Sequence, residues 1–130
     1  MIVVDTNILC YFYLREQYAE EADALLEKNP VWTSPPLWQS EFRNILIGYV
    51  RRGKITLERA MAIIDEANEL LSPSDEVIDT HHVMKLAHAS GCTAYDCEYV
   101  ALALALGVPL VTMDKQMLKA FPTLAVPLAA

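Results

Sequence analysis

The segment IVVDTN at residues 2–7 decides how the rest of the chain can be arranged. Its three β-branched apolar residues predict a short strand that is buried on both faces, as in a parallel sheet. Asp5 ends this strand, and Thr6 and Asn7 are typical of a helix start. Open α/β sheets bind ligands outside the carboxyl ends of their strands. Asp5 is therefore predicted to lie at a ligand-binding edge, although for one isolated aspartate a helix cap would be the simpler interpretation.

The composition is that of a globular domain. The chain has 130 residues, of which 54% are hydrophobic and 21% charged, so residues 1–130 are predicted to form one domain with a buried core. The net charge of −7 counts against a simple nucleic-acid-binding module. It favours a site that holds cations, or a basic protein partner.

Cysteine usage and hydropathy predict a soluble cytoplasmic protein. The three cysteines are odd in number and form no CxxC pair, which argues against a disulfide framework and for a reducing compartment. No basic segment precedes an apolar run at the start, so no signal peptide is expected. The longest uncharged run, residues 99–113, contains a glycine and a proline and is shorter than the roughly 20 residues of a membrane span.

Strand and helix patterns alternate along the chain. Strands are predicted at residues 2–4, 31–33, 76–78, 108–112 and 124–126, and helices at 8–14, 20–28, 36–52, 57–71, 80–90, 94–106 and 115–121. This alternation predicts an α/β fold in which helices sandwich a parallel sheet, in a Rossmann-like three-layer arrangement.

Two further carboxylates lie in predicted helices with apolar surroundings. Glu41 borders the apolar stripe of helix 36–52, close to Trp38, where a charge is costly unless it is paired or bound to a metal. Pairing with a nearby cation accounts for Glu41 equally well. Asp96 is the third residue of helix 94–106, where a capping arrangement with Thr93 is sufficient by itself. The apolar character of that helix favours a functional role for Asp96.

The predicted topology brings four carboxylates to one edge of the sheet. Asp5 and Asp114 each follow a strand, and Glu41 lies early in a helix that leaves the second strand. The Asp96 helix spans about 20 Å and the strand after it returns about 16 Å, so Asp96 reaches the same edge. Four acids in one partly dry pocket need a cation, and oxygen ligands favour Mg²⁺ or Mn²⁺. Such sites activate water and clamp phosphodiesters.

Two other sets of residues could be mistaken for binding sites, but structural or surface roles are favoured for both. Three histidines and two cysteines match no zinc-binding spacing, and surface or structural roles are favoured for His81, His82, His88, Cys92 and Cys97. The run RRGK at residues 51–54 is interpreted as a helix terminus, with cations near the last carbonyls and a glycine after them. A phosphate contact is the less favoured interpretation of that run.

Four segments, taken together and in order, resemble the PIN-domain family, and most closely its VapC-type toxins of bacterial toxin–antitoxin pairs. They are VVDTNIL at 3–9, SEFRNIL at 40–46, TAYDCEYVALA at 93–103 and LVTMD at 110–114. The resemblance implies a Mg²⁺- or Mn²⁺-dependent endoribonuclease with a helix-sandwiched parallel sheet. Its catalytic and metal-binding quartet would be Asp5, Glu41, Asp96 and Asp114, supported by Asn7 and Thr112.

The resemblance also implies partners. They are an RNA substrate, a cognate antitoxin that blocks the site, and a second copy of the chain in a homodimer. An antitoxin arginine is expected to enter the carboxylate pocket, because a guanidinium pairs with carboxylates in a bidentate manner. The many apolar residues, among them Trp32, Trp38 and Tyr49, also favour a dimer, although a core position is the simpler interpretation of each.

Two other functions remain open at this stage. One is a non-catalytic PIN-like module that binds protein, which the intact acidic quartet argues against. The other is a DNA-directed nuclease of the same fold. Cleavage assays with single-stranded RNA and single-stranded DNA would separate them.

Overall fold

Four short strands form one parallel sheet in the order β2-β1-β3-β4. The strands are β1 (Ile2–Val4), β2 (Trp32–Thr33), β3 (Leu110–Val111) and β4 (Ala125–Val126). β1 lies between β2 and β3, with Ile2 beside Trp32 and Val4 beside Val111. The structure is a computed structural model, and it describes residues 1–128. The segment that opens the chain therefore occupies the centre of the sheet.

Seven helices connect and cover these strands within residues 1–128. They are α1 (Thr6–Leu14), α2 (Ala19–Lys28), α3 (Leu37–Arg51), α4 (Leu57–Leu70), α5 (Thr80–Ser90), α6 (Ala94–Leu106) and α7 (Lys115–Ala120). Each begins and ends within one helical turn of its predicted bounds. Gly53 follows the end of α3 at φ +72°, which confirms that the RRGK run terminates a helix.

The strand predicted at residues 76–78 is wrong. Residues 73–79 have no regular structure, and the Val77 side chain is 88% exposed. The backbone N–H of Ser72 donates to the carbonyl oxygen of Trp32 at 2.8 Å, so the chain does approach the outer edge of β2. Pro73 follows and has no N–H to donate, which ends the approach after one bond.

The core lies around β1 and α6. Val3 and Val4 have no exposed surface, and α6, which packs against β1 and α5, buries six residues of its middle. Trp32 and Trp38 belong to this core, at 0% and 6% exposure. This confirms the core position that is the simpler interpretation of both tryptophans, so these two side chains do not support a dimer. No helix within residues 1–128 is both long and apolar enough to cross a membrane.

Candidate active site

Asp5 is held by two hydrogen bonds at the carboxyl end of β1. Its Oδ1 atom accepts from the backbone N–H of Thr6 at 2.8 Å, which makes Asp5 the N-cap of α1. Its Oδ2 atom accepts from the Thr112 hydroxyl at 2.8 Å, and the residue is only 8% exposed. The two sequence-based interpretations of Asp5 are therefore compatible, because one carboxylate both caps α1 and faces the residue that follows β3.

Thr112 connects two of the predicted carboxylates. It directly follows β3 and is fully buried. While its hydroxyl donates to Asp5, its oxygen accepts from the backbone N–H of Asp114 at 3.0 Å. Asp114 in turn caps α7, since its Oδ1 atom accepts from the N–H of Met117 at 2.9 Å. The first and third strands thus bring Asp5 and Asp114 to one edge.

Glu41 is fixed by two hydroxyl groups. Its Oε1 atom accepts from the Tyr99 hydroxyl at 2.6 Å and from the Thr6 hydroxyl at 3.0 Å. The two hydroxyl oxygens also lie 2.5 Å apart. Burial and the hydrogen bond to Glu41 raise the pKa of Tyr99, so the phenol keeps its proton and acts as a donor. Glu41 is therefore positioned by α1 and α6, although it belongs to α3.

The ion pair considered for Glu41 does not form. The nearby Arg43 instead contacts the Ser40 hydroxyl at 3.3 Å. The salt bridges among residues 1–128 join Arg15 to Asp23, Lys54 to Glu16 and Arg59 to Glu66, and none includes a predicted site carboxylate.

Asp96 is coupled electrostatically to other predicted site carboxylates. Burial raises the pKa of Asp96, the hydrogen bonds from Thr93 lower it, and the charges of Asp114 and Glu41 raise it further. Burial raises the pKa of Asp5 to about 6 against the lowering effect of its hydrogen bonds, and the charges of Asp96 and Glu41 add to the rise. Asp96 thus interacts with the charges of Glu41, Asp5 and Asp114, while Asp5 and Asp114 are connected through Thr112.

The sequence did not predict a role in this site for three further residues. Thr6 and Tyr99 hold Glu41, and Glu98 is a fifth carboxylate whose pKa is raised by burial and by the charge of Glu41. A usable signal was present for Tyr99. It lies three residues after Asp96 in the most apolar helix, where a buried hydroxyl needs a partner.

Asn7 takes no part in the hydrogen bonds described above for Asp5, Glu41 and Thr112. It is exposed on α1 and lines a cavity of about 250 Å³ between α1 and α3. Its supporting role stays a prediction.

The family is decided by comparison with known domains. The model of the PIN domain matches residues 2–122. This chain belongs to the PIN-domain family. This chain is 30% identical in sequence to Ribonuclease VapC3 of Pyrobaculum aerophilum, over 97% of this chain and 98% of that protein. These two findings confirm the predicted likeness to VapC-type proteins.

A solved structure confirms the predicted fold class. The crystal structure of PAE2754 from Pyrobaculum aerophilum superposes with a TM-score of 0.78, covering 98% of this chain and 90% of that one, at 21% identity. The parallel sheet and surrounding helices of the PIN domain are thus an α/β arrangement shared with that protein.

The donor set of the PIN domain fits a hard divalent cation. Carboxylate oxygens are the ligands that Mg²⁺ and Mn²⁺ prefer, and the four carboxylates have no cationic side chain to neutralise them within the described residues. Over residues 1–128, no three Asp, Glu, His or Cys side chains are close enough to hold one ion directly. Mg²⁺ keeps several waters and commonly binds through one or two carboxylates, so the cluster fits such an ion with water completing its shell.

Proposed function

We propose that this PIN domain, as a single domain over residues 1–130, is a metal-dependent endoribonuclease and the toxin of a type II toxin–antitoxin pair. The observation that carries the proposal is that Asp5, Glu41, Asp96 and Asp114 form no salt bridge within residues 1–128, although the charges of Glu41 and Asp96 act on Asp5. Family membership and the 30% identity to a protein named Ribonuclease VapC3 support RNA as the substrate.

In this proposal, the four carboxylates hold Mg²⁺ or Mn²⁺ partly through water molecules. When bound, such a cation lowers the pKa of water and neutralises the charge that develops on a phosphodiester. Thr112 and the N–H of Thr6 fix the orientation of Asp5, and the amide of Asn7 supports the site. Both bonds from Tyr99 and Thr6 fall on Oε1 of Glu41, so Oε2 is left to accept a proton or a hydrogen bond from the reacting water.

A covalent thiol mechanism is disfavoured by the environment of Cys10. This cysteine lies on α1, one helical turn beyond Thr6. Burial, followed by the negative charge of Asp5, raises the pKa of its thiol to about 12. The thiolate is therefore scarce at neutral pH, and hydrolysis by water is the reaction that the surrounding carboxylates suit.

The test is a cleavage assay on matched single-stranded RNA and DNA with Mg²⁺, with Mn²⁺ and with excess EDTA. We expect RNA cleavage that requires the cation and that Asp5→Asn abolishes while the circular dichroism spectrum stays unchanged. Asp65→Asn, which removes an exposed carboxylate of α4, is the matched control and should cleave as the wild type does. Full cleavage in EDTA would exclude the mechanism, and cleavage of DNA alone would make the enzyme a DNA-directed nuclease.

The proposed partners follow from the same site. A cognate antitoxin would place an arginine among the carboxylates and compete with the cation. The protein would act in the cytoplasm as a homodimer. Light scattering on the purified protein at high micromolar concentration checks the dimer, and a strict monomer there would contradict it.

A further inference from the structure

The positive charge of this acidic chain is concentrated after Glu41. Four of its ten lysines and arginines lie at residues 43–54, and no Asp or Glu occurs from 42 to 57. Arg52 is the C-cap residue directly after α3, is exposed, and takes part in none of the ion pairs of residues 1–128. A net charge of −7 therefore coexists with a local surface that attracts anions.

The guanidinium of Arg52 is held in a fixed place on α3. It lies over the Tyr49 ring, with its central carbon 4.8 Å from the ring centroid. It also lies over Gly48, where an added Cβ would be 3.2 Å from an Arg52 nitrogen. Glycine in a helix interior costs about 1 kcal/mol relative to alanine. The missing side chain at Gly48 thus leaves room for the guanidinium to lie against the helix.

This guanidinium lies on the same face of α3 as Glu41. Positions 48 and 52 are seven and eleven residues after Glu41, close to two and three full turns at about 3.6 residues each. Because the guanidinium folds back over Gly48, it lies about 10 Å along the helix axis from Glu41. Arg43 belongs to the same helix but lies roughly on the opposite face.

A cavity of about 250 Å³ lies between α1 and α3, beside this part of α3. Its lining includes Asn7, two residues after Asp5, and Tyr49, whose ring lies against the Arg52 guanidinium. Its walls include the Tyr11 ring and the Gln17 amide. Glu16 also lines it, but that carboxylate accepts from the Tyr49 hydroxyl at 3.1 Å and pairs with Lys54 at 3.8 Å. Aromatic and amide groups next to a guanidinium form a surface that suits a nucleotide.

We propose that the cavity between α1 and α3, together with the Arg52 guanidinium that lies over its Tyr49 wall, binds a nucleotide of single-stranded RNA next to the bond that is cleaved. Arg52 contacts a phosphate of that strand, and a base or ribose lies against Tyr11 and Tyr49. This inference rests on the proposed ribonuclease function and names the surface by which an acidic protein holds its substrate.

The experiment compares KM and kcat for single-stranded RNA at several salt concentrations. Arg52→Gln should raise KM about tenfold, the effect expected for one lost charge-assisted hydrogen bond, with kcat within about twofold. It should also lower the salt slope of the affinity by about 0.7, the value for one phosphate contact on a single strand. Arg43→Gln removes the same charge from another face and should match the wild type.

A second variant tests whether the position of the Arg52 guanidinium matters when its charge is kept. Gly48→Leu keeps Arg52 but fills the space in which its guanidinium lies, and should raise KM while the circular dichroism spectrum shows an intact fold. Equal KM values and salt slopes for Arg52→Gln and Arg43→Gln would overturn the inference in an enzyme that cleaves RNA.

The inference and the proposed function fail separately. A wild-type protein that cleaves no RNA would refute the function, and fluorescence anisotropy with labelled single-stranded RNA in Ca²⁺ would then decide the binding site. Weaker binding by Arg52→Gln than by Arg43→Gln would support the site, and equal binding would overturn it. Loss of antitoxin binding by Arg52→Gln with RNA binding unchanged would make the surface a protein interface and would also overturn it.

Discussion

At the scale of single residues, Asp5 carries the largest electrostatic cost of the site. Its pKa is raised from the ordinary 3.8 to about 6, mainly by burial. A raised folded-state pKa means that ionisation favours unfolding. The metal-free protein is therefore stabilised by protonated Asp5 below about pH 4, and this contribution is lost as the pH rises through about 6.

Asp5→Asn should stabilise the metal-free protein. At about pH 8 in EDTA, we expect its free energy of unfolding to exceed that of the wild type by up to about 3 kcal/mol, the free energy equivalent of the pKa shift. The gain should shrink as the pH falls to about 4. Urea unfolding at each pH measures it, and Asp65→Asn should show no comparable gain. Equal stability of Asp5→Asn and wild type at pH 8 would contradict the burial argument.

Tyr99→Phe isolates the positioning of Glu41. The substitution removes the 2.6 Å hydrogen bond and leaves the Thr6 hydroxyl as a donor to Glu41. We expect kcat for RNA cleavage to fall about tenfold and stability to fall by about 1 kcal/mol. Tyr95→Phe, on the same helix and 63% exposed, is the control. A Tyr99→Phe enzyme with wild-type kcat would reduce Tyr99 to a packing role.

The carboxylates and the supporting Thr112 could be predicted from the sequence, but the hydroxyl groups that orient Glu41 could not. Asp5 and Asp114 could be predicted because Asp5 directly follows an apolar strand and Asp114 lies three residues after another. Thr6 and Tyr99 could not, since their hydroxyl groups meet only after α1 and α6 have packed, across 93 residues of sequence. Tertiary contacts of this kind leave no periodic pattern in the chain.

At the scale of elements, two threonines cap helices by the same bond. Thr93 accepts from the N–H of Asp96 at 3.0 Å at the start of α6, and Thr56 accepts from the N–H of Arg59 at 3.1 Å at the start of α4. Of these two threonines, only Thr93 bonds to a residue of the proposed site, Asp96.

Alanine at either cap should lower stability by about 1 kcal/mol, the usual cost of losing an N-cap. Thr93→Ala should also lower RNA cleavage, because the first turn of α6 carries Asp96, whereas Thr56→Ala should leave cleavage unchanged. Thermal unfolding and single-turnover cleavage of the two variants provide the comparison. Equal activity of both would show that the first turn of α6 holds its geometry without the cap.

The helices were predictable because their caps and glycines are local signals. Thr93, Gly91 and Gly107 mark helix ends by their own side chains or backbone preferences. The segment at 76–78 failed because two adjacent apolar residues carry no period, and Pro73 ends the approach to β2 before pairing can begin. Whether a segment forms a strand depends on a neighbouring strand, which cannot be identified from the local sequence.

At the scale of the whole molecule, the uncompensated carboxylates predict stabilisation by cations. Binding to the folded state alone raises the unfolding temperature with ligand concentration. Millimolar Mg²⁺ or Mn²⁺ should raise the melting temperature of the wild type, and Asp96→Asn should lose most of that rise. Asp65→Asn should keep it, which excludes a general effect of ionic strength. A rise of equal size in all three proteins would argue against binding at the cluster.

The bond between Asp5 and Thr112 joins residues 107 positions apart, and it sets an order of events during synthesis. β1 is made well before its neighbour β3 and the Asp114 carboxylate. The growing chain therefore has no assembled carboxylate cluster until β3 has joined β1. Truncation before β3 should yield an inert polypeptide, so the sheet order delays the appearance of activity until β3 has been made.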